Sequence, residues 1–177
     1  MTVTIRPATA ADAGEIARVH VDTWRSTYPG IVPQEYLDSL ETAARAKQWE
    51  EWLAREGVHV FVAEDAGAVY GFISGGILHD GVQVAALTYD SEIYTLYVLP
   101  AFQGRGAGKA LMRALARRLA QDGLARPVVW ALEKNPWCAF YERLGGKRVA
   151  QKMIEIGGAQ LSDIAYGWDE IGILHDR

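Results

Sequence analysis

The sequence is short of the residues that several kinds of chemistry require. It has one cysteine, Cys138, so no internal disulfide can form, and an isolated thiol suits a reducing cytoplasm. The four histidines, His20, His59, His79 and His175, show no ligand spacing, so no metal site is expected. No apolar run approaches the roughly 20 residues of a membrane span, and the opening MTVTIRPATA lacks the charged and apolar regions of a secretory signal. Basic residues are outnumbered. The formal net charge of −4 argues against a nucleic-acid surface. Low-complexity tracts, internal repeats and credible linkers are missing as well.

What is present is an ordinary globular composition. Half of the 177 residues are hydrophobic, and such a length suits one domain, 1–177, able to bury about 70% of its unfolded surface. The chain is organised around Glu92 to Leu119. Tyr94, Tyr97 and Val98 suit a half-buried strand, which Pro100 ends because it brings no N–H to a ladder. Leu111, Leu115 and Leu119 then recur at helical spacing with Met112 and Ala116 beside them, while Arg113, Arg117 and Arg118 fall largely outside that stripe.

Between strand and helix lie Gly104, Gly106 and Gly108, which let a backbone approach a ligand closely. The helix that follows turns its unpaired N–H groups and positive dipole end toward them, so the loop reads as an anion site with Arg105 and Lys109 as nearby charges. It is not a P-loop: Gln103 stands where the first glycine belongs, and Ala110 follows Gly108-Lys109 where a magnesium-binding hydroxyl is needed. Nor is it a dinucleotide fingerprint, whose third glycine would fall at Lys109.

The run Gln103-Gly104-Arg105-Gly106-Ala107-Gly108 matches the pattern Q/R-x-x-G-x-G/A. Downstream, Asn135, Ala139, Phe140, Tyr141, Glu142, Leu144 and Gly145 form a second pattern. On these two motifs the chain resembles the GNAT N-acetyltransferases over roughly residues 58–150. The resemblance implies a mixed α/β fold: a mostly antiparallel central sheet with helices on both faces, and two central strands that splay to admit the pantetheine arm of acetyl-CoA. It implies that the loop from Gln103 to Lys109 cradles the pyrophosphate. Backbone amides near Leu96, Tyr97 and Val98 would bind the acetyl carbonyl and pantetheine, and Asn135 would touch the pantetheine while capping its helix. Residues 1–57 would form the acceptor side and 151–177 a hairpin and tail.

The remaining chain divides into short elements. Val3–Arg6 is a short strand, and Thr9 with Asp12 a variant capping box. The next helix presents Ile16, Val19, His20, Thr23 and Trp24 on one face. A turn at Pro29-Gly30 precedes one or two helices, with Pro33 in a first turn and Tyr28, Tyr36, Trp49 and Trp52 covering the sheet. Val58–Glu64 and Val69–Ser74 form a hairpin around Asp65-Ala66-Gly67, where Gly71 permits close packing or a bulge. Gly75–Tyr89 reads mostly as loop. Pro127–Leu132 is a buried strand, Asn135-Pro136 a helix start, and Gly145-Gly146 its end. Lys147–Ile156 and Ala159–Trp168 flank the turn Gly157-Gly158, with Asp169–Arg177 a loose end. Open edges on these last two strands would suit a homodimer.

Acetyl transfer needs a base for the amine and a proton for the leaving thiolate. Tyr141 is the candidate acid, since a phenol of pKa about 10 keeps its proton at neutral pH, and by resemblance it points at the coenzyme sulfur. Glu92, opening the central strand, resembles by position a general-base glutamate. Cys138 is expected to pack rather than react. A small-molecule amine, a peptide or a protein amine all fit as acceptor, with no nucleic-acid or membrane partner. A domain that binds acetyl-CoA without transferring it, and a transferase for another acyl-CoA, remain open at this point.

Overall fold

The computed structural model describes residues 3–78, 83–84, 87–172 and 174. In chain order the elements are β1 (Thr4–Pro7), α1 (Ala13–Thr27), α2 (Gln34–Ser39), α3 (Thr42–Leu53), β2 (Val58–Asp65), β3 (Ala68–Ile77), β4 (Gln83–Val84), β5 (Leu87–Thr88), β6 (Ser91–Val98), α4 (Ala107–Gln121), β7 (Pro127–Leu132), α5 (Cys138–Arg143), β8 (Lys147–Ile156) and β9 (Ala159–Gly167). Seven strands form one sheet in the order β1-β2-β3-β6-β7-β9-β8, and β4 pairs only with β5. Every neighbour pair in the large sheet is antiparallel except β6 with β7.

Each face of the sheet is covered because two helices carry apolar stripes of the right width. The stripe of α4 (Leu111, Met112, Leu115, Ala116 and Leu119) is almost wholly buried and packs on Ile73, Ile93, Val129 and Tyr166. Full burial of each such leucine stabilises by about 2–3 kcal/mol. On the opposite face, Ile16 and Val19 of α1 and Trp49 of α3 meet Val62 and Phe72. Arg6 anchors the start of α1: it holds Asp12 by two hydrogen bonds of 2.8 Å and reaches Glu64 of β2 at 2.9 Å. The capping box of Thr9 and Asp12 is present.

Several expected boundaries move. The first strand is Thr4–Pro7, one residue later than expected; as the end of an edge strand it loses nothing by holding a proline. Pro33 caps α2 from outside instead of lying in its first turn. Strand β3 runs on through Gly75 to Ile77, and β4 and β5 come after it, so the expected loop over 75–89 is partly strand. Positions 79–82 and 85–86 of that loop, with His79, lie outside the described residues, as does His175. Helix α5 begins at Cys138, not beside Asn135. The Asn135 side chain instead accepts a hydrogen bond of 2.9 Å from the Trp137 N–H, closing a turn before the helix. The tail is not loose throughout, because Ile171 and Leu174 are buried in the core beneath α4, and the Ile171 N–H donates to the Ala125 carbonyl at 2.7 Å. Finally, β9 lies between β7 and β8, so of the last two strands only β8 has an open edge.

Two irregularities shape the centre of the sheet. The register of β3 on β6 pairs Ser74 with Thr95 and Gly75 with Ile93, leaving Tyr94 as an extra residue that bends β6. Gly71 permits the close approach foreseen for it: an added Cβ would lie 3.0 Å from the Tyr97 carbonyl.

Candidate functional site

Strands β6 and β7 begin together and then part. They pair in parallel at Ser91–Pro127, Glu92–Val128 and Ile93–Val129, after which no pairing is formed although both strands continue. Asp90 pins the joined end, its carboxylate accepting from the N–H groups of Ala125 and Arg126 at 2.9 and 3.0 Å. The separated end opens a cleft of about 260 Å³. A strand edge without a partner exposes backbone donors and acceptors, and here that edge is Leu96–Val98.

Ten of the expected site residues line the cleft: Leu96, Tyr97, Val98, Gln103, Gly104, Gly106, Gly108, Lys109, Asn135 and Tyr141. The three glycines differ in role. Gly104 and Gly106 have φ of +72° and +88° and open space where a side chain would stand, a conformation only glycine adopts cheaply. Gly108 lies in the first turn of α4 against α5, where an added Cβ would make an ordinary contact of 3.4 Å with the Phe140 ring. Gln103 turns inward, its amide donating to the Val98 carbonyl at 2.8 Å and tying the loop to the end of β6. The N–H groups of Gly106, Ala107, Gly108 and Lys109 donate to no carbonyl of the described backbone. They form the start of a helix of 15 residues, where unpaired donors and the dipole favour an anion.

Three expected residues lie apart from the lining. Ala107 is buried in the core. The Arg105 guanidinium stands 5.9 Å from the centroid of the Phe102 ring. Glu92 sits where β6 and β7 are still paired, half-buried, on the face opposite Ile93.

Tyr141 is 7% exposed and lines the cleft. Burial, reinforced by the neighbouring Tyr97, Cys138 and Tyr166, pushes its pKa well above that of a free phenol, so its proton stays in place at neutral pH. Burial likewise raises the Cys138 thiol, which keeps it a packing residue.

The cleft also contains residues that the motifs did not single out. Thr23 and Thr27 lie one helical turn apart on α1 and face the opening with Tyr28. The Thr23 hydroxyl is buried without a partner among the described residues. The Tyr28 hydroxyl accepts from the Asn135 amide at 3.1 Å, joining α1 to the second motif. Helical spacing marks the threonine pair; nothing local separates Tyr28 from a packing tyrosine. Phe102, Trp137 and Arg143 complete the wall from positions beside the two motifs.

On the other face, His20, Arg45, Trp49, Trp52 and Thr95 surround a second cavity of about 200 Å³. His20 accepts from the Trp49 indole N–H at 3.3 Å, and burial with the charge of Arg45 pushes its pKa down to about 3. It is a neutral packing residue. Among the described residues no group of three or more His, Cys, Asp or Glu side chains could hold a metal ion.

A slot opened by strand separation, an unpaired strand edge and a helix start with free donors fit a long thiol-linked cofactor ending in phosphates. Comparisons with known proteins agree. The sequence model of the acetyltransferase (GNAT) family matches residues 16–146. The uncharacterized N-acetyltransferase YuaI of Bacillus subtilis is 40% identical over 174 residues, 97% of this chain and 96% of that one. Among solved structures, the putative acetyltransferase yncA of Salmonella typhimurium with acetyl-CoA superposes with a TM-score of 0.70 at 23% identity, over 97% of this chain and 95% of that one. The PaiA N-acetyltransferase of Thermoplasma acidophilum in complex with coenzyme A gives 0.68 at 17% identity, over 95% and 100%.

Proposed function

This chain belongs to the acetyltransferase (GNAT) family, and from that premise we propose that it transfers acetyl from acetyl-CoA directly to a primary amine in the cytoplasm. The observation that carries the reading is Tyr141: a largely buried residue whose phenol stays protonated, on the wall of the cleft beside the glycine turn. A domain that only held the cofactor would gain nothing from such a group.

Acetyl-CoA, when bound, supplies an activated thioester. The N–H groups from Gly106 to Lys109 hold its pyrophosphate, with Lys109 adding charge. Backbone donors at Leu96–Val98 hold the pantetheine and polarise the acetyl carbonyl, and Asn135 contacts the same arm. Tyr141 holds a proton at its phenolic oxygen for the departing sulfur. Glu92 draws the amine's proton away; because it is set back from the cleft wall, it acts through water. No covalent enzyme intermediate is required, and the edge of β8 is the surface on which a second copy would pair.

The test is to incubate the purified protein with acetyl-labelled acetyl-CoA and a cell extract. Label moving into small molecules or protein amines is expected, and its fraction names the acceptor class. If acetyl-CoA binds and no label moves, the protein is a binding module and the transferase reading fails.

A further inference from the structure

The cavity of about 200 Å³ between α1, α3 and β6 has no part in the chemistry assigned so far. Helix α3 supplies most of its wall. Arg45, Gln48, Trp49 and Trp52 recur at helical spacing, so one face of the helix lines the space. His20 of α1 and Thr95 of β6 complete it, and it shares no lining residue with the coenzyme cleft. The walls are held by contacts of their own. Thr95 and Ser74 share a hydrogen bond of 2.6 Å across the sheet. Trp49 donates to His20 and sets its ring edge-on to Phe72, with centroids 5.0 Å apart. Trp52 meets the Tyr94 ring on the bulge of β6 at 5.6 Å.

Charge decides what such a space takes. Arg45 is half-buried, and among the described residues no carboxylate forms an ion pair with it. Glu41 stands one turn earlier on α3, the spacing at which helical ion pairs form. Arg45 leaves it aside and donates to the Gln48 side-chain carbonyl at 2.8 Å. The rest of the guanidinium fork suits a planar carboxylate. Its charge is felt at His20 and at Tyr97, so it acts toward the interior. His20, with its pKa pushed down to about 3, is neutral and adds no second charge. The rest of the lining is mainly aromatic. The Trp49 and Trp52 rings lie 6.2 Å apart at 55° to each other, an open angle whose faces and edges suit a further ring. The volume falls below the roughly 300–1,000 Å³ of drug-sized pockets, which limits the occupant to about one ring.

We infer that this cavity is a binding site for a small aromatic carboxylate, with the carboxylate on Arg45 and the ring against Trp49 and Trp52. The site is distinct from the coenzyme's, because its anion is met by a side chain and its walls are indoles, where the glycine turn offers backbone N–H groups. A cation is excluded by Arg45, and an aliphatic anion would leave the indole faces without a partner ring. The ligand carries no amine and takes no acetyl group, so the inference does not depend on the transferase reading.

The experiment is calorimetric titration of benzoate at pH 7.5 into protein saturated with coenzyme A, which keeps the other anion site filled. Benzoate should bind. Benzamide, the same ring without the charge, should bind at least about tenfold more weakly, the difference made by a charge-assisted pair. Acetate, the charge without the ring, should also bind at least about tenfold more weakly. Arg45→Gln should weaken benzoate by at least about tenfold while benzamide and coenzyme A bind as in wild type. Trp52→Leu, at a half-buried position, should weaken benzoate by about three- to tenfold, and it decides the matter should Arg45→Gln fail to fold. Absence of benzoate binding, equal affinity for benzoate and benzamide, or benzoate affinity unchanged in both variants would each overturn the inference. None of these readouts involves turnover, so a failed acetyl-transfer assay leaves the site standing, and a failed titration leaves the transferase reading intact.

Discussion

The two sides of the cleft recognise by different means. On the coenzyme side, from β6 through the glycine turn into α4, the contacts on offer are backbone N–H groups and an unpaired strand edge, set by φ angles and helix phase. On the acceptor side they are side chains of α1 and its end, Thr23, Thr27 and Tyr28, which only the finished fold sets against the loop. Backbone recognition constrains a few adjacent residues tightly, because the turn itself is the binding site. Side-chain recognition constrains positions that only the finished sheet makes neighbours. The coenzyme side is therefore specified locally, while the acceptor side includes the Thr23 hydroxyl, buried without a partner among the described residues. A buried hydroxyl left unpaired costs stability.

The sharpest way to break this contrast is Gly106→Val. The φ of +88° at Gly106 is one a β-branched residue cannot adopt without strain, although the space beside it is open. The turn should rearrange locally and coenzyme A affinity should fall by about 100-fold or more, the equivalent of losing two or more charge-assisted hydrogen bonds. The thermal transition should persist, because Leu111, Leu115 and Leu119 remain packed. Binding at wild-type strength would show that backbone geometry is not what holds the cofactor.

Tyr141→Phe comes next in size and touches the seam between the two sides. Turnover should drop by about tenfold or more if the phenol is the proton donor, while coenzyme A affinity stays close to wild type because the ring remains in the core. An unchanged turnover number would take Tyr141 out of the mechanism and leave it as packing.

The same contrast explains how much was legible in the sequence. The strand, turn and helix around the glycines could be read because each is specified by neighbours: proline against the ladder, glycine for positive φ, leucines at helical spacing. The parting of β6 and β7 was visible only through the family resemblance, since it depends on where two distant strands stop pairing. Asn135 shows how local rules compete: its side chain accepts from the Trp137 N–H as a cap would, but Pro136 and the turn push the helix start to Cys138. Ile171 and Leu174 were read as tail because two apolar residues carry no period, although the sheet leaves a space that they fill. The burial of Asp163 gave no signal, because a lone aspartate in an alternating strand is ordinarily solvated.

The smallest effect is the most informative about the seam. Tyr28 belongs by element to the acceptor side, yet its hydroxyl receives the Asn135 amide from the coenzyme side at 3.1 Å. Burial, then the fields of Tyr97, Tyr141, Cys138 and Asp163, raise its pKa far above that of a free phenol, so it remains neutral across the working range and acts as a fixed dipole. Tyr28→Phe keeps the ring among Val21, Val32 and Leu37 and removes only the oxygen. The fold should therefore lose about 1 kcal/mol, the usual worth of one such hydrogen bond. With Asn135 no longer held, coenzyme A affinity should weaken by about two- to fivefold, a loss of under about 1 kcal/mol. Titration of coenzyme A against wild type and variant separates the possibilities. A measurable weakening means that the acceptor-side helix helps to set the cofactor arm, so the two sides are coupled through one hydrogen bond. Identical affinities would mean that Asn135 is positioned by its own turn, and that the halves of the cleft are independent.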